Sequence, residues 1–206
     1  MMKITHILIC LIAFSLSSCL KEEVNIFTQS PAERLNLALK DDKTALLNAS
    51  NGWVMQYFAN PTSAGYNLLV KFNASGMAVF AAKNEFTLNK AYVTDSSLFQ
   101  LVGDNGPVLT FNTYNKILHV FSNPIDPNET PELTGFGLEG DYEFVVTKVT
   151  ADQITLKGKK HGSIIFLNKL QNNVSWLQYV QDLDAMDSLM FSNVAPKLTM
   201  TIGKST

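Results

Sequence analysis

The sequence predicts a mainly β domain, an antiparallel barrel or sandwich, preceded by one helix and followed by a short helix and strand. Three observations carry this. Apolar residues alternate with a period of two through most of Trp53 to Lys169, the spacing of half-buried strands. Clusters of Gly, Asn, Asp and Pro interrupt that pattern at short intervals, as hairpin turns do. A helix-start signal, Ser30-Pro31-Ala32-Glu33, stands in front of the whole run.

The first helix is expected from about Pro31 to Asn48. Ser30 caps it, Pro31 suits the first helical position, and Glu33 completes a capping box. Leu35, Leu39 and Leu46 share one face with Ala38 and Ala45, and Asn51-Gly52 ends it. Strands follow at Trp53–Phe58, Tyr66–Phe72, Met77–Ala82, Glu85–Val93, Ser97–Val102, Val108–Asn112 and Ile117–Phe121. Tyr142–Thr150, Gln153–Lys157 and Ser163–Asn168 complete the set. Turns of this regularity argue for an antiparallel barrel or a sandwich. One long connection, Ser122 to Gly140, is rich in Pro, Gly and acid; such loops are usually binding loops, lids or disordered segments. A second helix is expected from Ser175 to about Met190, with Trp176, Val180 and Leu183 on one face. Pro196 to Ile202 then alternates as a half-buried strand. The domain is therefore read as residues 30–170, and residues 171–206 as a helix and strand expected to open a further domain.

The first 23 residues give an address. Lys3 precedes an apolar run from Ile4 to Leu16, too short for a bilayer span, which needs roughly 20 residues. Leu16-Ser17-Ser18-Cys19 resembles the lipobox of bacterial lipoproteins. That resemblance makes residues 1–18 a cleaved signal peptide and Cys19 the acylated first residue of the mature protein. Several acyl chains anchor stably where one holds only marginally. Lys21, Glu22 and Glu23 resemble the surface-export signal of Bacteroidetes lipoproteins. Residues 19–29 form a tether, and Leu20 to Gln29 spans roughly 33 Å if extended.

Composition narrows the chemistry. Removing residues 1–18 takes one lysine, leaving 15 basic and 18 acidic residues, with no basic run among them; nucleic acid is not an expected partner. Of the two cysteines, Cys10 leaves with the signal and Cys19 is lipidated. The folded domain then has no disulfide, thiol nucleophile or thiolate metal site. A hydrophobic content of 46% with thirteen Phe supplies the core instead.

Motif by motif, the chain offers no catalytic set. Gly135-Phe136-Gly137-Leu138-Glu139-Gly140 spells the dinucleotide fingerprint, but that motif needs a strand before it and a helix after it. Here a Pro-rich loop precedes and a strand follows. The mature chain's two histidines, His119 in a predicted strand and His161 in a turn, do not make a zinc pattern. Asp126, Glu129, Glu132, Glu139, Asp141 and Glu143 gather around the long loop, where oxygen ligation of calcium competes with a plain solvated loop. A glycosidase would need two carboxylates across a cleft, which sequence does not place. Aromatics on the strands read first as core, and otherwise as a ligand-lined barrel mouth or a sugar-stacking platform.

Several features recur in one order: the lipobox with Lys-Glu-Glu, Ser30-Pro31-Ala32-Glu33-Arg34-Leu35, Gly52-Trp53, Leu109-Thr110-Phe111-Asn112-Thr113-Tyr114-Asn115, Gly140-Asp141-Tyr142-Glu143-Phe144 and Lys157-Gly158-Lys159-Lys160. Together they resemble a family of Bacteroidetes surface lipoproteins of unknown function, the domain of unknown function 4302 type, over about Cys19 to Tyr179. The resemblance implies genes beside surface nutrient-uptake systems, and it brings no catalytic residues. It also implies a longer chain, with a C-terminal half beyond the last helix and strand. Gly52-Trp53 is similar to the first strand of lipocalin-type barrels.

The expectation is a non-catalytic accessory binding module for nutrient uptake (glycan, peptide or haem), anchored in the outer membrane and facing the exterior, with no cofactor and no metal. Its partners are outer-membrane lipid through acylated Cys19 and a transporter or partner lipoprotein. The expected contact residues are Asp126, Glu129, Phe136, Glu139, Asp141 and Tyr142. The alternatives are a structural or assembly protein of the outer membrane and a glycan or peptide hydrolase. Cys19→Ala should move the protein from the membrane to the soluble fraction and remove the lipid mass from its N-terminal peptide. Membrane retention of that variant would contradict the lipobox reading.

Overall fold

The computed structural model describes residues 27–125 and 135–192. The chain divides into two units, Met1–Arg34 and Leu35–Thr206, the division falling just inside the first helix. In the first unit the predicted capping box forms in full. The Ser30 N–H and hydroxyl each donate to a Glu33 carboxylate oxygen at 2.8 Å, and the Glu33 N–H donates back to Ser30 Oγ at 3.3 Å. The Arg34 guanidinium lies 3.8 Å above the Phe27 ring, a cation–π contact.

Helix α1 spans Pro31–Leu47. Eight strands follow: β1 Trp53–Phe58, β2 Gly65–Phe72, β3 Met77–Ala82, β4 Val93–Asp104, β5 Gly106–Phe111, β6 Glu143–Val149, β7 Gln153–Gly158 and β8 Ile164–Lys169. Each pairs antiparallel with its sequence neighbour, and β8 returns to β1 with Trp53 opposite Lys169 and Gln56 opposite Phe166. The sheet is thus a closed up-and-down barrel, not a sandwich. Helix α2, Trp176–Ser192, follows β8. The predicted strand Pro196–Ile202 and the tether lie outside the described residues.

Two predicted strands are not strands. Residues 85–92 form a turn with a short 3-10 segment, Leu88–Lys90, in which Asn89 and Lys90 both have left-handed φ, and Val93 already belongs to β4. Asn84 starts it by accepting the Phe86 N–H at 3.0 Å through its side-chain oxygen. Residues 117–121 become a second 3-10 segment, His119–Ser122. There Asn115 Oδ1 accepts the N–H groups of Ile117 and Leu118 at 2.9 and 3.0 Å. In both places an asparagine side chain takes the amides that a ladder would have needed.

Alternation sorts the strands into two faces. Trp53, Met55 and Tyr57 of β1, Leu68, Val70 and Phe72 of β2, and Phe80, Phe99, Phe111 and Phe144 of β3 to β6 belong to the main buried core. On the outer side, Val54, Leu69 and Ala81 are buried with Leu170 and Val180 of α2's segment, so β1 to β3 are covered on both faces. The first barrel end is closed by Leu46 and Ala49 at the foot of α1. There the Trp53 indole N–H donates to the Leu46 carbonyl at 3.0 Å, pairing a helix-end acceptor that is otherwise orphaned. Gly52 turns the chain between them at φ +83°, where a Cβ would lie 2.7 Å from the Val70 carbonyl oxygen.

Trp53→Phe keeps an aromatic ring but leaves that buried carbonyl unpaired, so unfolding in urea should show a loss of ~1–3 kcal/mol. An unchanged midpoint would mean the bond does not matter to the end closure.

Candidate functional site

The barrel interior is occupied by its own side chains. A continuous run of ring contacts passes from Phe99 through Phe72, Phe111 and Phe144 to Tyr57, and on to Phe121 and Phe86, with centroid separations from 4.7 to 6.3 Å. Phe121, from the second 3-10 segment, enters the end of the barrel opposite α1 and touches Tyr57, Tyr66 and Phe86. Tyr57, Phe72, Phe80, Phe99, Phe111, Phe121 and Phe144 are core, whereas Tyr66, Tyr92 and Phe166 are half-buried. Space for a ligand must be sought at the rim that Phe121 plugs.

That rim carries a hollow of about 620 Å³, lined by Ser122, Pro124, Gly135, Phe136, Glu139 to Glu143 and Lys159 to His161. Its floor is tied to the core. The Tyr57 hydroxyl donates to the Asp141 carbonyl at 2.9 Å, and the Gly140 N–H donates to the Phe121 carbonyl at 2.7 Å. Any Cβ at Gly140 would lie 2.6 Å from Phe121 Cβ and collide with the Tyr57 hydroxyl. Burial raises the Tyr57 phenol well above its usual pKa, the nearby Asp141 charge adding to it.

Asp141 is itself buried. Its two carboxylate oxygens accept the N–H groups of Lys160 and His161 at 3.0 and 2.9 Å, and His161 Nδ1 lies 3.8 Å away. This carboxylate shapes the β7–β8 turn from inside. Lys159 lies 3.1 Å from Asp104 and 3.8 Å from Glu143, a pairing that depresses the Asp104 pKa and raises that of Lys159. Glu139, with left-handed φ, and Lys160 are exposed at the edge.

Beside the hollow lies a short aromatic ladder. The His119 ring sits 5.3 Å from Tyr114 and 5.0 Å from Tyr142, tilted 36° and 29°. Tyr114 is 67% exposed and Tyr142 43%. His119 is pinned between them: its Nδ1 accepts the Asn115 N–H at 3.0 Å, and the Phe111 backbone is a further partner. An Nδ1 that accepts must be unprotonated, so the folded arrangement needs neutral imidazole. Burial likewise pushes the His119 pKa below its usual value.

Of the expected contact residues, Phe136, Glu139, Asp141 and Tyr142 converge on the hollow. Asp126 and Glu129 lie outside the described residues, as do Cys19, Lys21, Glu22 and Glu23. Tyr114, His119, Lys159, Lys160 and His161 were not expected at the site. The Asn115-to-His119 spacing carried a local signal for a turn; the β7–β8 lysines carried none, since only the barrel register brings them beside β6. The Gly-x-Gly-x-x-Gly letters form turns that lead into β6. Among the described residues no group of three His, Cys, Asp or Glu is placed to hold a metal ion, and no helix is long and apolar enough to cross a membrane.

The chain matches the family model described as Domain of unknown function (DUF4302) over residues 23–206, and it belongs to that family. Among solved structures it is similar to the crystal structure of an uncharacterized protein from Bacteroides eggerthii DSM 20697. The two share 15% identity, the match covers 58% of this chain and 98% of that one, and the TM-score is 0.32. No curated protein matches the chain.

A histidine held neutral in the fold couples stability to pH. The unfolded chain takes up a proton below its ordinary value near 6.5, while the folded form resists until the lowered value is reached. The contribution of His119 is therefore full above that ordinary value and is lost as pH falls through the folded one. His119→Gln should flatten the fall in unfolding free energy between neutral and mildly acidic pH. Parallel pH profiles for the two proteins would refute this.

Proposed function

We propose that this DUF4302 protein is a lipid-anchored outer-membrane protein, displayed at the cell surface, that binds without catalysis at the rim of its barrel. The observation that carries the reading is the division of labour between interior and rim. The interior is filled by rings, whereas the rim has a hollow lined by Asp141, whose carbonyl Tyr57 holds from the core, and edged by exposed Phe136 and Tyr142. Small-molecule sites are concave, of roughly 300–1,000 Å³, and carry a few convergent polar groups; the hollow fits that description.

The partners on this reading are outer-membrane lipid and a transporter or partner lipoprotein that receives the ligand. A structural or assembly role is the second reading. It is favoured by the exposed apolar side chains of Leu177, Met186 and Met190 on α2, which suit a protein neighbour.

The test is thermal unfolding of the acylated chain in detergent against glycans, peptides, haem and divalent cations. A ligand at 100 times its Kd should stabilise the folded state by about 2.7 kcal/mol. Phe136→Ala should abolish that shift without lowering the ligand-free midpoint. A shift retained by this variant would remove the rim from consideration; no shift, with co-purification of a membrane protein, would favour the assembly role.

A further inference from the structure

Resting on the rim-binding reading, we infer that the hollow is a carbohydrate subsite, with Tyr142 and Phe136 as stacking faces for a neutral sugar ring. The first argument is preorganisation. Tyr142 is half exposed, yet its ring is held against His119, which is fixed by backbone groups on one side and backed by Tyr114 on the other. An exposed ring that is already ordered loses little freedom on binding. Phe136 is 67% exposed on the same hollow. Its position follows Gly135 and precedes Gly137, where a Cβ would collide with the Asn123 carbonyl oxygen, so the turn that presents it is closely packed from behind. Flat apolar faces of this kind match the axial C–H face of a pyranose, through the negative face of the aromatic ring.

The second argument is charge. Asp141 spends both carboxylate oxygens on backbone N–H groups, and Lys159 is balanced by Asp104 and Glu143. Glu139 and Lys160 stand at the edge, one charge of each sign. The lining thus carries three carboxylates, Glu139, Asp141 and Glu143, against two lysines, Lys159 and Lys160, an excess of negative charge that disfavours an anionic ligand. The hollow does have a carboxylate acceptor, an ammonium donor and the Ser122 hydroxyl to pair the hydroxyls of a sugar.

The third argument is what the site cannot easily take. Peptides commonly bind by adding a strand to an open sheet edge, and the closed barrel offers none among the described residues.

The experiment is isothermal titration calorimetry of the acylated chain in detergent with maltohexaose, cellohexaose, xylohexaose, mannohexaose and chitohexaose, and with a tryptic digest of casein as the peptide probe. At least one saccharide should bind. Tyr142→Ala and Phe136→Ala should each weaken it by about tenfold, whereas Tyr142→Phe, which keeps the ring, should stay near the parent. The Phe136 variant leaves the His119 ladder untouched, so its effect does not depend on whether Tyr142→Ala disturbs the fold. Saccharide binding that ignores both alanine variants would overturn the inference. Binding of the digest alone, lost in Phe136→Ala, would overturn the sugar assignment and leave the rim reading standing. If no probe binds at millimolar concentration, the sugar inference is overturned, and the rim reading stands or falls by the haem and divalent-cation arms of the unfolding assay.

Discussion

A sheet that closes on itself must fill what it encloses. Eight strands set the size of the interior, and a barrel of this size is either packed with side chains or open to hold one small ligand. Here it is packed. Phe72, Phe80, Phe99, Phe111 and Phe144 meet across the axis, with Ala78 and Ala82 among the strands between them. Large and small residues alternate around the enclosed volume, as close packing requires. Closure also removes every free strand edge in the sheet. Both routes by which a β domain most often binds, an internal cavity and an open edge, are therefore used up by the fold. The proposed reading turns on what lies outside both, the rim.

The rim is not a loosely hung set of loops. Phe121 joins it to the core through ring contacts, Gly140 lies against Phe121, Tyr57 holds the Asp141 carbonyl, and the Asp141 carboxylate holds the β7–β8 turn. These links run from the centre of the barrel to its surface in a single connected path. A buried polar network of this type is costly when half satisfied and rigid when complete. The exposed groups on the hollow inherit their positions from it.

The sequence was informative wherever structure is local. Ser30, Pro31 and Glu33 announced α1 because a capping box needs only neighbours. The alternation of Trp53-Met55-Tyr57 or Leu68-Val70-Phe72 showed its inward face for the same reason. Barrel and sandwich stayed undivided because the pairing of Trp53 with Lys169 has no local signature. Residues 85–92 and 117–121 looked like strands by composition. They are turns because the side-chain oxygens of Asn84 and Asn115 compete for backbone N–H groups, and alternation does not register that competition. At the site, Phe136, Glu139, Asp141 and Tyr142 were within reach of reasoning because they lie together in sequence. Tyr114, His119 and Lys160 reach the same rim from separate segments, so only the topology assembles them. Asp141 lines the hollow, and its carboxylate faces backbone amides of its own chain.

One consequence concerns the order in which the molecule is made. Seven of the eight strand pairings join sequence neighbours, and such contacts form early and at little entropic cost. The eighth, between β1 and β8, must close a loop containing nearly the whole domain. The chain reinforces the places on either side of this seam. The Leu170 N–H donates to the Gly52 carbonyl, Asn51 donates to the carbonyls of Gln171 and Val174, and the Trp176 indole donates back to Asn51. Ser50 reaches Asn172 in the same way. Until those bonds are made the folding chain is an open sheet with two bare margins. The segment after β8 thus acts as a latch on the seam, and the closure it secures removes the two margins at which an open sheet can add a further strand.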